Sequence, residues 1–180
     1  MTNHIGLLLL VACSSLMAPY AKAETRPVCK PTIFEKYVSV GGQSGFLGAP
    51  TTAETPTPDG RSSFQIFEYG SIYVNPARRC AWIVINGIRE KWASLGWERG
   101  YLGYPSGDET AVPSGVGVYA GFDRGVIYWH PDLGTHEIHG AIMNEYYQYG
   151  QIIDYLGYPT TDELDMDNGR GRVSYFEHGG

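Results

Sequence analysis

The chain has 180 residues, a formal net charge of −6 and 43% hydrophobic residues. That length suits one ordinary domain, while the acidic balance argues against a phosphate backbone or an anionic lipid surface as partner.

Residues 5–17 form a mainly apolar run, and "AKA" at residues 21–23 supplies the small residues that a signal peptidase needs. Residues 1–23 therefore read as a secretory signal. The run is shorter than the roughly 20 apolar residues that cross a bilayer, so no transmembrane segment is expected in the mature chain. An alternative start is a lipid anchor, because "LVAC" at residues 10–13 resembles a lipobox ending at Cys13. Removal of the signal takes Lys22 and Cys13 with it, leaving a balance of −7 and two cysteines, Cys29 and Cys80. An even pair in an exported chain reads as a disulfide. It would tie the N-terminal segment, residues 24–30, to the end of the first unit, closing a loop of about 50 residues, worth on the order of 4 kcal/mol.

The rest of the chain repeats. "LGAPTTAE" begins at Leu47, "LGYPSGDE" at Leu102 and "LGYPTTDE" at Leu156, so the spacing is 55 and then 54 residues. Around each block the same elements are expected in the same order. A helix comes first, with Ile33 and Tyr37, Ile88, Trp92 and Leu95, or Ile142, Tyr146 and Tyr149 on one face. Gly96 and Gly150 are placed to end the second and third helices. The Leu-Gly-x-Pro loop follows, and then an acid (Glu54, Glu109, Glu163). A turn comes next at Gly60, Gly115 or Gly169, preceded by Asp59, Ser114 or Asn168. A hairpin closes the unit: its first strand carries Phe64 and Phe67, Tyr119 and Phe122, or Phe176, and its second, "SIYVNP" or "VIYWHP", stops at Pro76 or Pro131. The expected fold is α+β, with tandem helix–loop–hairpin units of about 54 residues at 31–86, 87–140 and 141–180, the third incomplete. Single units of this size bury too little to fold alone, so they must stack.

The stretches "IREKWASLGWERGYLGYPSGDE", "GVIYWHPDLGTHEIHGAI" and "LGYPTTDE" resemble the LGFP-repeat family over about 150 residues. The resemblance implies an exported, non-catalytic module of actinobacterial cell-envelope proteins that holds to arabinogalactan or peptidoglycan-linked glycan. It also implies units arranged about a pseudo-symmetry axis. The chain departs from the pattern at Ala49, where an aromatic is usual, and at "NPARRCAW", which replaces the Gly-x-His segment kept as Gly134 and His136. The first unit, with its Cys80, therefore reads as a structural cap.

Within each loop the expected roles divide. Leu47, Gly48 and Pro50, Leu102, Gly103 and Pro105, and Leu156, Gly157 and Pro159 read as architecture: burial, a close or left-handed backbone, and a fixed exit. Tyr104 and Tyr158 are candidate sugar-stacking aromatics, Glu109 and Glu163 candidate partners for ligand hydroxyls, and His136 joins them from the Gly-x-His segment. On the second strand of the middle unit, Tyr128 and Trp129 are both candidate ligand residues; they must point to opposite faces, and Trp129 is the one expected outward as a carbohydrate platform. No metal or cofactor is expected: "HEIH" lacks the His-Glu-x-x-His spacing, and "DELDMDNGRG" has Arg170 where a calcium loop needs glycine. Ser44 in "GGQSGF" makes no nucleophile elbow, and the glycines of "GVGVYAG" precede a hairpin rather than a helix. Cell-wall polysaccharide is thus the expected partner. The competing functions are an envelope hydrolase or esterase built on Asp108, Glu109, Asp162 and Glu163, and a secreted protein-docking platform.

Overall fold

The computed structural model describes residues 30, 32–112, 116–149, 155–166 and 169–180. The expected signal, Cys13, Cys29, Ser114, Gly115, Gly150 and Asn168 lie outside these residues, as does the side chain of Tyr149.

Three helices open the three units. Helix α1 (Ile33–Ser39) is capped by Thr32, whose Oγ1 accepts the Glu35 amide at 3.1 Å and donates to the Glu35 carboxylate at 2.9 Å. Helices α2 (Asn86–Ser94) and α3 (Gly140–Tyr149) follow. Gly96, with φ of 92°, provides the left-handed residue that ends α2.

Between the helices the chain builds more sheet than a hairpin. Strands β1 (Thr55–Pro56), β2 (Ser63–Phe67), β3 (Gly70–Asn75) and β4 (Cys80–Val84) form an antiparallel meander in chain order. The middle unit repeats it with β5 (Thr110–Ala111), β6 (Val118–Gly121), β7 (Gly125–His130) and β8 (Gly134–His139). A two-stranded sheet, β9 (Leu164–Asp165) and β10 (Arg172–Val173), belongs to the third unit. The hairpin expected from the sequence is β2–β3 and β6–β7. Strand β8, "GTHEIH", carries Thr, His and Glu where a strand reading looks for apolar alternation, and its polar groups find their partners in the next unit.

Helix α2 lies between the two four-stranded sheets, and two of the three cores are shared across units. Ile33, Leu47, Phe67, Ile72 and Ile83 pack with α1. The core around α2 takes Tyr73 and Val84 from the first sheet and Phe122 and Ile127 from the second. Tyr128, Ile138 and Val126 of the second sheet join Tyr146 of α3 and Tyr158 of the third unit. Strand β3 and the first four residues of β7 are consequently buried on both faces, which is why they read as continuous apolar runs.

The Leu-Gly-x-Pro loops share one design. Tyr37 donates its hydroxyl to the Gly48 carbonyl at 2.7 Å, Trp92 its indole N–H to Gly103 at 3.1 Å, and Tyr146 its hydroxyl to Gly157 at 2.9 Å. The three glycines have φ of 70°, 74° and 74°, which turns those carbonyls back onto the helix. The next amide is taken by a carboxylate: Ala49 by Glu68 at 2.9 Å, Tyr104 by Asp123 at 3.1 Å and Tyr158 by Glu177 at 2.8 Å. Pro50, Pro105 and Pro159 then form isolated bridges to Phe67, Phe122 and Phe176. Leu47 and Leu102 are fully buried, and Leu156 packs at the edge of its core.

Candidate functional site

The expected ligand residues fall into three groups, and most of them lie where two units meet. Tyr104 and Tyr158 are only 2% and 4% exposed, so neither ring offers a stacking face. The sequence expectation is corrected here: both are inter-unit pegs. The Tyr104 hydroxyl donates to Asp59 Oδ1 at 2.6 Å and lies 3.0 Å from Thr57 Oγ1, inside the β1–β2 turn of the first unit. Burial and the Asp59 carboxylate both push the Tyr104 phenol well above its ordinary range, so it stays a donor. Tyr158 makes the equivalent insertion into the second unit, donating to the Val116 carbonyl, and its ring packs against His130 at 4.7 Å. Tyr128 is also buried, in edge contacts with Tyr146 and Tyr158, so it too is unavailable for stacking.

The acids of the loops serve the same junctions. Asp108 accepts the Ile83 amide of β4 at 2.9 Å and pairs with Lys36 of α1, whose ammonium also lies 5.7 Å from the Trp82 ring centre. Asp162 accepts the Glu137 amide of β8 at 3.2 Å, pairs with Lys91 of α2 and has His136 Nδ1 at 3.6 Å. Burial works against the ionised Asp162, yet His136, Lys91 and the Glu137 amide outweigh it and hold the carboxyl down at about 2. His136 also places Nε2 2.9 Å from the Leu133 carbonyl, so it sits in a structural network rather than on an open surface.

Glu109 and Glu163 diverge. Glu163 is almost enclosed, with His139 Nδ1 at 3.1 Å and Arg172 Nε at 3.0 Å; His139 also meets the buried Glu137 at 2.8 Å. Glu109 accepts the Ile85 amide at 3.0 Å among apolar neighbours. Burial, reinforced by the charge of Asp108 and only partly offset by that amide, pushes its carboxyl up to about 7.

Glu109 and Trp129 line one cavity of about 340 Å³, together with Ile85, Asn86, Gly87 and Val118. Trp129 pairs with Val118 and Thr135 across β7, is 36% exposed, and is the outward member of the Tyr128–Trp129 pair. Gly87 makes its seat: a Cβ there would meet Trp129 Cδ1 at 2.8 Å and Thr135 Oγ1 at 3.0 Å. A carboxyl that titrates near neutrality beside a half-open indole can hydrogen-bond a hydroxyl and stack on an apolar ring face. Asn86 and Gly87 are not among the residues singled out from the sequence. Their signal was the Asn-Gly pair that opens α2, a pair that tolerates positive φ.

The LGFP repeat matches the chain three times, over residues 47–100, 102–151 and 156–180. The chain belongs to the LGFP-repeat family. The matches begin at Leu47, Leu102 and Leu156, the residues that open each loop. This family is a repeat module of cell-envelope-associated proteins, and it is not a catalytic family. No curated protein matches the chain. Among the described residues, no helix is long and apolar enough to cross a membrane.

Proposed function

We propose that this LGFP-repeat chain is an exported, non-catalytic anchor that holds to neutral cell-wall glycan, arabinogalactan or a peptidoglycan-linked polysaccharide, through the Glu109–Trp129 cavity. The observation that carries the reading is the meeting of an exposed indole and a half-buried carboxyl in one cleft at a unit junction. The indole stacks on the C–H face of a sugar ring, while Glu109 keeps one oxygen on the Ile85 amide and offers the other to a hydroxyl. The other loop acids argue against a hydrolase. Asp108, Asp162 and Glu163 are committed to strand amides, lysines, His139 and Arg172.

Export by residues 1–23 and the Cys29–Cys80 disulfide belong to the same reading. The Ala81 amide donates to the Lys30 carbonyl at 2.7 Å, which brings the residue after Cys29 beside the residue after Cys80 and supports the pairing.

The test is co-sedimentation of residues 24–180 with insoluble actinobacterial wall glycan stripped of protein and lipid. Wild type is expected in the pellet and Trp129→Ala in the supernatant. Folded wild type that stays in solution removes the glycan reading and favours a protein partner.

A further inference from the structure

We infer that the glycan site extends across the start of α2 as a groove with two subsites, Trp129 at one end and Tyr69 at the other, and that it takes a chain of neutral sugars rather than one terminal sugar. The inference rests on the glycan reading above and deepens it.

Two cavities flank the β4–α2 connection, and Asn86 lines both. The second, of about 470 Å³, is walled by Thr51, Glu68, Tyr69, Arg89 and Glu90. Tyr69 stands at the β2–β3 turn and is 66% exposed, so it offers a ring face as Trp129 does. The connection between the cavities is chemically specific. Asn86 has φ of 46°, a left-handed value uncommon outside glycine, and the matching first position of α3 is Gly140 with φ of 53°. Glycine satisfies that backbone by itself. Asparagine adds an amide, one donor and one acceptor group, at the residue that lines both cavities.

Arg89 lies beyond it in a held position. Its Nε donates to Ser71 Oγ at 2.8 Å, and its guanidinium stacks 5.4 Å from the Trp97 ring centre. Fixed donors cost less ordering on binding. The charges choose the class of ligand. Glu68 and Glu90 flank the one arginine, and Glu109 stands in the other cavity, so phosphorylated or uronic polymers are disfavoured and uncharged polyols fit.

The test uses the folded chain, residues 24–180, titrated calorimetrically with neutral mono-, di-, tetra- and hexasaccharides released from wall arabinogalactan. Affinity should rise with length up to the tetrasaccharide. Trp129→Ala should weaken binding at every length. Tyr69→Ala should weaken tetra- and hexasaccharides about fivefold to tenfold, the worth of one stacked ring, and leave the monosaccharide unchanged. Asn86→Gly, which preserves the backbone, should act in the same direction. Length-independent affinity, or no effect of Tyr69→Ala and Asn86→Gly where Trp129→Ala does act, overturns the extended groove and leaves the first cavity standing. Failure of wild type to bind any fragment or the insoluble glycan overturns both.

Discussion

The junction between the first and second units and the junction between the second and third use the same parts at the same places, yet their chemistry differs. In both, a loop tyrosine enters the preceding unit, and a loop aspartate caps a strand amide and pairs with a helix lysine. One position further, Glu109 meets the Ile85 amide beside apolar side chains, whereas the Glu163 carboxylate meets His139 and Arg172 and its backbone amide donates to the carboxyl of Glu137. The difference comes from the strand each glutamate faces: "CAWIV" in β4, "GTHEIH" in β8. A repeat thus keeps its joint geometry while the facing strand helps decide whether the acid is spent on ionic partners or left among apolar ones. The one among apolar neighbours lines the cavity.

The largest expected effect comes from removing a peg. Tyr104→Ala should cost about 3–5 kcal/mol of stability in urea unfolding, the usual range for a large buried ring. A loss under about 1 kcal/mol would mean that the junction does not depend on it. Asp162→Asn should come next, at about 1–2 kcal/mol at pH 7, reduced because the side chain is a third exposed. Its folded carboxyl is depressed, so its stabilisation is present above 3.8 and lost as pH falls through about 2. The variant should lack that acid limb in a pH series of unfolding curves.

Glutamine substitutions at the two glutamates sharpen the contrast, because opposite signs are expected. The folded carboxyl of Glu109 is raised from 4.5 to about 7, so the folded state binds the proton more tightly and wild type loses stability as pH rises through that window. Glu109→Gln should therefore raise the thermal midpoint at pH 8, on the order of 2–4 °C, and change little at pH 4. Glu163→Gln should lower the midpoint at pH 8, since His139 and Arg172 lose their anion. Equal signs would break the comparison. The smallest effect is expected of Ala49→Tyr, within about 0.5 kcal/mol, because position 49 is partly exposed.

Much of the unit was legible along the chain. The helix stripes, the Leu-Gly-x-Pro blocks and the β2–β3 and β6–β7 hairpins follow from periodicity and turn chemistry. The carboxylate that receives the loop amide was legible too, though not read, in "FEYG", "FDRG" and "FEHG". The candidate site was half legible: Trp129 and Glu109 were named as candidates, but Tyr104 and Tyr158 were misplaced at the surface. An aromatic in a loop has the same local signature whether it faces water or a neighbouring unit. The contrast among copies held the clue. Ala49 and Ala53 stand where later units carry the tyrosine peg and the aspartate, so these two positions vary with the junction rather than with the fold of the unit.

By itself the sequence determined the number of repeats present, the phase of each unit, the left-handed glycines and the outward turn of Trp129, because these depend on local propensity and on periods of two and 3.6 residues. Only the tertiary structure decided which acids are spent on joints and which one is left in a cavity. The amides that Asp108, Glu109 and Asp162 accept lie 24 or 25 residues upstream, on or just after a strand whose own pattern gives no sign of what will dock against it.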